Sequence, residues 1–363
     1  MPAFLQLLET HVPPHAHSQD DLSLLLQERF SEERIRRLVA QAFRQSGIER
    51  RHTTMEGFFD CAPFDRNGQA DTAARNDVYG TESRRLATAV GEKLLASPDA
   101  PARDRITHVV FATCTGFVNP GPDYHLVRDL GLRDGVERYT LGFMGCYAAF
   151  PALRMAARFC EADPDAVVLV VSVELCSLHM QIDASIDAIL GNTVFADGAA
   201  GAIVSGRPAA SEEPQFELTR FRSATIEGSE SAMAWTIGNR GFDLVLSSYV
   251  PKVLSAELGG LFQRLGIDPS SYGGLAVHPG GKSILDRFVS VFGLPSDALD
   301  ASRRVLRDYG NMSSATILFV LRELLHADTN DDDGGANDGA NSILALAFGP
   351  GLTVETADLR KIG

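Results

Sequence analysis

The sequence predicts a layered α/β fold, in which β-strands are covered by helices on both faces. Three observations predict it. The run over residues 166–173 (AVVLVVSV) is apolar throughout except for Ser172, and a run without alternation is typical of a strand buried on both faces. Short apolar runs alternate with helical patterns along the chain. The second half of the chain then repeats the plan of the first.

The elements of the first half follow from periodicity and loop signals. Apolar residues recur at helical spacing from Leu22 to Phe43, and Gly47 ends that stretch. The remaining elements predicted here are a helix over 80–97, a strand over 108–113, a helix over 150–161 and strands over 166–173 and 199–204.

The second half is predicted to hold a strand over 274–277, helices over 283–292 and 315–325, and a strand over 342–348. Because this order resembles that of the first half, we predict an internal duplication that is joined near residues 206–216, where Gly, Pro and Glu cluster. The two similar halves are residues 1–205 and 206–363.

The length and charge of the chain limit its possible functions. Its 363 residues, 45% of them apolar, suffice for roughly two domains or one large unit with two parts. Its 33 Lys and Arg against 47 Asp and Glu give a net charge of −14. Such a chain lacks the basic surface that nucleic-acid binding requires, and it discourages contact with anionic membranes. A local basic patch can still bind an anionic substrate.

Targeting signals, disulfides and metal sites are not predicted. No segment reaches the ~18 consecutive apolar residues of a membrane span, and residues 1–20 lack the basic start and apolar core of a secretory signal. Five widely spaced cysteines, an odd number, predict free thiols in a reducing, cytoplasmic compartment. There is no CxxC pair, and the acidic segment from Asp328 to Asn341 lacks calcium-loop spacing, which predicts a solvated loop.

Cys146 is the candidate nucleophile. The helix that follows it is so nearly apolar all round that we expect it to be buried, and Pro151 places its start near residues 148–151. At a helix start, unpaired N–H groups and the positive dipole end can lower the pKa of a thiol. A strand-to-helix turn that presents a nucleophile is the geometry of a nucleophile elbow. The alternative is a buried cysteine that packs as a small apolar residue.

Two polar residues that are far from Cys146 in the sequence could take part in its chemistry. His278 ends an apolar strand, and Pro279 keeps its backbone extended, whereas Asn311 precedes another apolar helix. Imidazole can take or stabilise the thiol proton, and histidine and asparagine N–H groups can donate to a developing oxyanion. Each residue alone has a structural alternative, namely a hydrogen-bonded core histidine and a helix N-cap.

Four short motifs carry these residues or follow them. They are GFMGCYAAF around Cys146, AVHPGG around His278, YGNMSSA around Asn311 and AFGPGLTVE near the C-terminus. In order and spacing they resemble the type III polyketide synthases, the chalcone-synthase-like enzymes, from about residue 30 onwards. The segments TCTGF and VELCSLH are similar to the bacterial branch that makes alkylpyrones or alkylresorcinols from fatty acyl starters. The resemblance implies a thiolase-like fold of two similar halves in αβαβα layers, usually as a homodimer.

The resemblance also implies a role for each residue. Cys146 would accept the starter acyl group from CoA and hold the growing chain. His278 would pair with the thiolate and, with Asn311, promote decarboxylation of malonyl-CoA and hydrogen-bond the thioester carbonyl. Phe195 and Phe242 match positions where the CoA tunnel meets the cavity. Cavity-lining positions are matched by Cys114, Cys176 and His179. The alternative for these last five is core packing.

The implied reaction is iterative decarboxylative Claisen condensation of malonyl-CoA onto an acyl-CoA starter, followed by cyclisation. Candidates for contact with CoA are Arg44, Arg50, Arg51, Lys282 and Ser283, although ordinary surface charge is the alternative for the arginines. No metal or prosthetic group is implied, because the CoA thioesters are substrates. The acidic surface argues against an acidic acyl-carrier protein as the main partner.

Two other functions stay open. A ketoacyl synthase III-like enzyme, which condenses once with a carrier protein, shares the Cys, His and Asn residues, although the GPG ending and VELCSLH argue against it. A catalytically silent acyl-binding or scaffold protein would have no physical reason to keep all three residues. Side-chain identity alone does not fix starter length, number of extensions or ring type.

Overall fold

The structure of the chain is a computed structural model that describes residues 2–58, 61, 63–64, 69–211, 213–246, 250–327 and 341–363. The solvated loop predicted from Asp328 to Asn341 therefore lies outside the described residues, except for its last position. The five cysteines all lie within them, and all five are free thiols, as predicted.

The described residues form thirteen strands and ten α-helices. The strands are β1 (Ala3–His11), β2 (His15–Ser18), β3 (Arg50–Thr53), β4 (His108–Thr113), β5 (Glu137–Gly142), β6 (Val167–Leu175), β7 (Asp197–Ser205), β8 (Gln215–Thr225), β9 (Met233–Gly238), β10 (Gly241–Leu246), β11 (Gly274–Val277), β12 (Ser342–Gly349) and β13 (Thr353–Ile362). The helices are α1 (Gln19–Gln27), α2 (Glu33–Gln45), α3 (Thr72–Leu95), α4 (Pro122–Asp129), α5 (Ala149–Ala162), α6 (Ile186–Val194), α7 (Val250–Leu265), α8 (Lys282–Phe292), α9 (Asp300–Tyr309) and α10 (Thr316–Leu325).

The main sheet repeats one strand arrangement twice. In the part of the chain described, its order is β5-β4-β6-β7-β1-β8-β13-β12-β11. In the first half β4 runs parallel to β6, and β7 runs antiparallel to both β6 and β1. In the second half β11 runs parallel to β12, and β13 runs antiparallel to both β12 and β8. Both halves thus share one topology, and β1 pairs with β8 where they meet. The boundary at residue 205 stays a prediction.

Helices and sheet form five layers. The central layer contains α5 and α10, whose residues Phe150 and Leu321 belong to one buried cluster with β6 and β12 residues. A second cluster joins α3 and α4 to the outer face of β6, and a third joins α8 to the outer face of β12. Each half of the sheet therefore lies between two helical layers, which is why β6 is buried along its whole length. This arrangement matches the predicted αβαβα layering.

Two predicted boundaries are wrong. The helix predicted over 80–97 begins at Thr72, because Asp71 accepts a hydrogen bond from the N–H of Ala74 (2.8 Å) and caps the helix eight residues earlier. The helical stretch predicted up to Gly47 consists of two helices, α1 and α2, that are separated by residues 28–32.

Candidate active site

Cys146, His278 and Asn311 line one cavity of about 320 Å³. They come from three separate stretches: the turn before α5, the end of β11 and the segment before α10. The structure therefore brings together the three residues that the sequence singles out as catalytic. Other lining side chains are mostly apolar and include Leu190, Val194, Met233, Leu246, Ile284 and Phe348.

Cys146 occupies the predicted turn between a strand and a buried helix. β5 ends at Gly142 and α5 begins at Ala149. Gly145 has a φ of +83°, and a Cβ atom there would lie 2.3 Å from the ring of Pro350. Glycine is thus required immediately before the nucleophile, for backbone conformation and for space. Cys146 is partly buried as a whole residue and lines the cavity.

His278 has both ring nitrogens without a hydrogen-bond partner, although the residue is only 2% exposed. Its main-chain N–H donates to Leu346 on the adjacent strand (2.9 Å), which fixes the residue at the end of β11. Burial lowers the pKa of the imidazole to about 3, so the free ring is neutral at neutral pH. A neutral ring with no partner can accept a proton from one group and donate to another. A hydrogen-bonded core histidine does not describe this residue.

His179 shows the opposite arrangement. Its Nδ1 accepts a hydrogen bond from the N–H of Phe242 (3.1 Å), so Nε2 carries the hydrogen and donates to the carbonyl of Thr115 (2.7 Å). The ring also stacks on Phe242, with 4.0 Å between ring centres. Burial lowers its pKa to about 3 as well. Because both nitrogens are engaged, His179 holds the cavity wall and is not an acid or base.

The amide of Asn311 is held at both ends. Its Oδ1 accepts from the N–H of Ser313 (2.9 Å), and its Nδ2 donates to the carbonyl of Gly280 (3.4 Å). The long second contact leaves Nδ2 able to donate to a substrate oxygen. Asn311 is not the N-cap of α10, because that helix starts at Thr316 with Ala315 at the N-cap.

The predicted lowering of the Cys146 pKa is wrong for the free thiol. The pKa of the thiol is raised to about 11, chiefly by burial and also by the charge of Glu174, although hydrogen bonds with the side chains of Ser313 and Asn311 lower it. The preference of a buried group for its neutral form therefore outweighs the effect of the helix start. The thiol needs a base to become a nucleophile, and His278 is the free base on the same cavity wall.

Replacement of His278 by Ala should make alkylation of Cys146 depend on alkaline pH. Burial raises the pKa of the thiol, and the variant has no imidazole to take its proton, so we expect little thiolate at neutral pH and a labelling rate that rises as the pH becomes alkaline. In the unaltered protein, imidazole can take the proton, so labelling at neutral pH should be faster. The measurement is the rate of iodoacetamide labelling of Cys146 between pH 6 and about 11, followed by peptide mass spectrometry. Identical pH profiles for both proteins would exclude His278 as the base.

The five predicted cavity residues divide between two adjoining cavities. Cys114, Cys176 and Phe195 line the main cavity. His179 and Phe242 line only a neighbouring cavity of about 150 Å³. The predicted roles of His179 and Phe242 stay predictions. The two cavities share four lining residues, which are Cys176, Phe195, Trp235 and Leu244.

The residues predicted to contact CoA also fall into two groups, those near the cavity or at the surface and one that is buried. Ser283 lines the main cavity, and the stem of Lys282 packs against Gly47, which brings the start of α8 to the end of α2. Arg44 and Arg50 are exposed near that junction. Arg51, however, is only 1% exposed and donates to main-chain carbonyls. Its predicted role in phosphate binding is corrected to a structural one.

Sequence reasoning missed four residues of the site. Leu244 lies on the wall between the cavities, two residues after Phe242 and thus on the same face of β10. Trp235 is the only tryptophan of the sequence, and its Nε1 donates to the carbonyl of Cys114 (2.8 Å). The other two are Ser313, two residues beyond Asn311 in a recognised motif, and Glu174 in VELCSLH.

Glu174 is a buried carboxyl that links the two halves behind the cavity. Its Oε2 accepts from the N–H of Cys114 (2.9 Å) and the hydroxyl of Thr115 (3.0 Å). Its Oε1 accepts from the hydroxyl of Ser314, which lies in the second half. Burial raises the pKa of Glu174 to about 7. The network fixes the segment that bears Cys114 against the one that bears Asn311.

Within the described ranges, no group of three or more His, Cys, Asp or Glu side chains is placed to hold a metal ion. None of the helices described combines the length and apolar character that a bilayer crossing requires.

Family models and solved structures resemble this chain over its whole length. The model described as "Chalcone and stilbene synthases, N-terminal domain" matches residues 2–208, and the corresponding C-terminal model matches residues 217–363. The chain is similar to the C-terminal type III polyketide synthase domain of Steely1, a type I/III hybrid from Dictyostelium, with a TM-score of 0.89, 27% identity and 100% coverage of both chains. It is also similar to PKS-I from the brown alga Ectocarpus siliculosus, with a TM-score of 0.90, 25% identity, and coverage of 99% of this chain and 98% of that one.

These matches agree with the fold described above. They confirm the predicted thiolase-like α/β fold and the predicted resemblance at the level of the family. CoA-linked substrates are those that enzymes of this family use, and the family normally requires no further cofactor. The chain belongs to the chalcone and stilbene synthase family and is a type III polyketide synthase, an enzyme of the acyltransferase class.

Proposed function

We propose that the enzyme extends an acyl-CoA starter, held as a thioester on Cys146, by iterative decarboxylative condensation with malonyl-CoA. The product then cyclises to an alkylpyrone or alkylresorcinol type of ring. One observation carries the proposal: Cys146, His278 and Asn311 line the same largely apolar cavity, and both ring nitrogens of His278 are free. No metal or prosthetic group takes part in the proposed reaction.

Loading begins when His278 takes the proton of the Cys146 thiol. The sulfur forms a bond to the acyl carbon of the starter, the bond to the CoA sulfur breaks, and the CoA thiolate leaves with the proton from His278. Malonyl-CoA then binds and loses CO₂, which leaves an enolate of acetyl-CoA. N–H groups of His278 and Asn311 donate to the enolate oxygen. An apolar cavity favours this step because the carboxylate loses its hydration there.

Condensation joins the enolate to the bound acyl group. The enolate carbon attacks the thioester carbonyl on Cys146, and the C–S bond breaks to release the thiolate. The chain, now two carbons longer, is carried on CoA. Transfer back to Cys146 begins the next cycle. The ring closes when an enol oxygen attacks the thioester carbonyl and expels the thiolate, which gives a pyrone. Alternatively, an enolate carbon attacks a ketone of the chain and water is lost, after which hydrolysis of the thioester by water and loss of CO₂ give a resorcinol. Protons and electron pairs balance without any external oxidant or reductant.

The cavity lining supports a hydrocarbon starter. The wall beyond the three catalytic residues is built from Leu190, Val194, Phe195, Leu244 and Ile284. Apolar side chains of this kind favour burial of an acyl chain through the hydrophobic effect. A fatty acyl-CoA is therefore the starter we propose.

The proposed mouth of the cavity lies beside Ser283, at the start of α8. Lys282, Arg44 and Arg50 lie on the elements that meet there and suit the phosphates of CoA, because they are exposed or half-exposed cations. Lys282 pairs with Asp286 (2.8 Å) in the free enzyme, so CoA must compete for that ammonium group. We expect Lys282→Ala to raise KM for malonyl-CoA more than it lowers kcat.

The assay for this function uses malonyl-CoA with a panel of acyl-CoA starters of increasing length, with product masses determined. Several extensions followed by ring closure would support the proposal. One extension that depends on a carrier protein would support the ketoacyl synthase III-like alternative instead. Absence of both CO₂ release and Cys146 labelling would support a silent acyl-binding protein. We also propose that the enzyme is a homodimer, which sedimentation of the purified enzyme would test. We propose the cytoplasm as its compartment.

Replacement of Trp235 by Ala should shift starter preference towards longer chains. The indole lies on the wall shared by the two cavities, so its removal joins them. Since each methylene in an apolar pocket is worth about 1–3 kcal/mol, we expect the ratio of kcat/KM for long over short starters to rise roughly tenfold or more. Ile237→Ala is the matched control, because Ile237 lies on the same strand but is 57% exposed. An unchanged ratio in Trp235→Ala would remove this residue from starter selection.

A further inference from the structure

Arg51 on β3 is a buried arginine whose charge lacks an adjacent acidic partner among the residues described. Only 1% of the residue is exposed, and Asp197 acts on it from a distance, without an ion pair. The guanidinium lies over the rings of Phe43 and Phe58, at 5.5 and 5.8 Å from their centres. Burial of a charge without a partner costs free energy. The other contacts of Arg51 must therefore supply the stabilisation that offsets this cost.

Both hydrogen bonds of the guanidinium go to main-chain carbonyls at the end of α6. The Nη1 atom donates to Asn192 (2.8 Å) and to Phe195 (2.7 Å). The last carbonyls of a helix have no partner within the helix, and the negative dipole end favours a cation. Arg51 thus fixes the end of α6 and the residue that follows it.

The same short segment holds the main chain of Asn311. The N–H of Asn311 donates to Val194 (2.8 Å), and the N–H of Ala196 donates to Asn311 (2.9 Å), which forms an isolated β-bridge. Gly310, the preceding residue, packs on the stem of Arg51, and a Cβ there would lie 2.9 Å from its Cγ. Arg51 therefore contacts the residue before Asn311 and the segment with which Asn311 forms the bridge.

We infer that Arg51 is a positioning residue, which sets the amide of Asn311 against the reacting carbonyl by holding residues 192–196 in place. Arg51 is absent from the lining of the cavity and does not touch the substrate. Small displacements matter here, because an error of about 1 Å in the placement of a reacting group can cost on the order of a hundredfold in rate. The inference rests on the proposed function, in which Asn311 donates to the enolate.

The first test compares Arg51→Met with Arg222→Met in the full-length enzyme. Arg222 is also largely buried, but it pairs with Asp358 (2.8 Å) and is absent from the walls of both cavities. We expect Arg51→Met to lower kcat for malonyl-CoA decarboxylation about tenfold at a nearly unchanged KM. Arg51→Lys, which keeps the charge, should recover part of that loss. Arg222→Met should lower the melting temperature without lowering kcat.

Three results would overturn the inference. An increase in KM at unchanged kcat would indicate that Arg51 serves CoA binding. Equal losses of kcat in the Arg51 and Arg222 variants would indicate a general loss of structure. An unchanged kcat in both Arg51 variants would show that its contacts do not matter for the reaction.

The second test is a double-mutant cycle with Asn311→Ala. If Arg51 acts through Asn311, adding Arg51→Met to Asn311→Ala leaves the decarboxylation rate unchanged, whereas a further tenfold loss contradicts the inference. If Arg51→Met does not fold, the same double-mutant cycle can be measured with Arg51→Lys. Full decarboxylation activity of the single variant Asn311→Ala would refute the proposed role of Asn311 itself. This outcome is distinct from the failure of the inference about Arg51.

Discussion

Replacement of Cys146 by Ala should abolish condensation while malonyl-CoA decarboxylation continues. The thioester forms on this sulfur, and no other described thiol occupies the turn between β5 and α5. Loss of a nucleophile costs roughly 10⁴-fold or more in rate. The enolate oxygen is stabilised by His278 and Asn311, which the variant retains, so CO₂ release does not require the thiol. Product mass and ¹⁴CO₂ release from labelled malonyl-CoA measure the two activities separately.

Cys160→Ala is the matched control for this variant. Cys160 lies on α5, the helix that follows Cys146, but it is buried in the central helical layer with its thiol near the carbonyl of Ala166 (3.8 Å). We expect the control to keep both activities. Condensation by Cys146→Ala at the unaltered rate would assign the nucleophile to another cysteine.

Replacement of Asn311 by Ala should slow malonyl-CoA decarboxylation by roughly tenfold to a hundredfold, because loss of an oxyanion donor has effects of that order. The donor is Nδ2, whose contact with Gly280 is long enough (3.4 Å) to be exchanged for a substrate oxygen. The effect should be on kcat, since the interaction strengthens as the enolate forms.

Asn311→Asp separates the role of Asn311 as a hydrogen-bond donor to the substrate from its role in the local backbone turn. A carboxylate keeps the acceptor for the N–H of Ser313, so the local turn is retained, but it cannot donate. We expect this variant to be at least as slow as Asn311→Ala. Asn76→Ala is the control, because Asn76 also bonds main-chain atoms, those of Phe117, but on the surface. Full decarboxylation by Asn311→Asp would exclude the amide N–H as the donor.

The sequence predicts those elements best whose burial is visible in their composition. The strand predicted over 108–113 coincides with β4, and α5 starts at Ala149, within the interval that Pro151 indicates. Both are bounded by strong local signals, namely β-branched runs and proline. The three strands at the centre of the sheet, β1, β8 and β13, are not predicted. Their polar residues, such as the half-buried Glu9 and the exposed Arg220, break the apolar pattern.

Residue type identified the three catalytic candidates but did not indicate their environments. Cys146 was expected to have a lowered pKa at a helix start, whereas burial raises it. Arg51 was expected to contact CoA or to be an ordinary surface charge, whereas it is buried. Its burial depends on aromatic rings and carbonyls contributed by distant segments, which no local pattern shows. Two histidines of equal burial, His278 and His179, differ in hydrogen bonding alone, and only three-dimensional contacts reveal that difference.

The position of the single indole makes the enzyme its own fluorescent reporter. All tryptophan emission comes from Trp235, which lies on the partition between the two cavities and close to His179 and Phe242. An alkyl chain that displaces water from this partition should shift the emission to shorter wavelength. Pre-steady-state loading of a starter can thus be followed by stopped-flow spectroscopy on unlabelled protein, separately from the later elongation cycles.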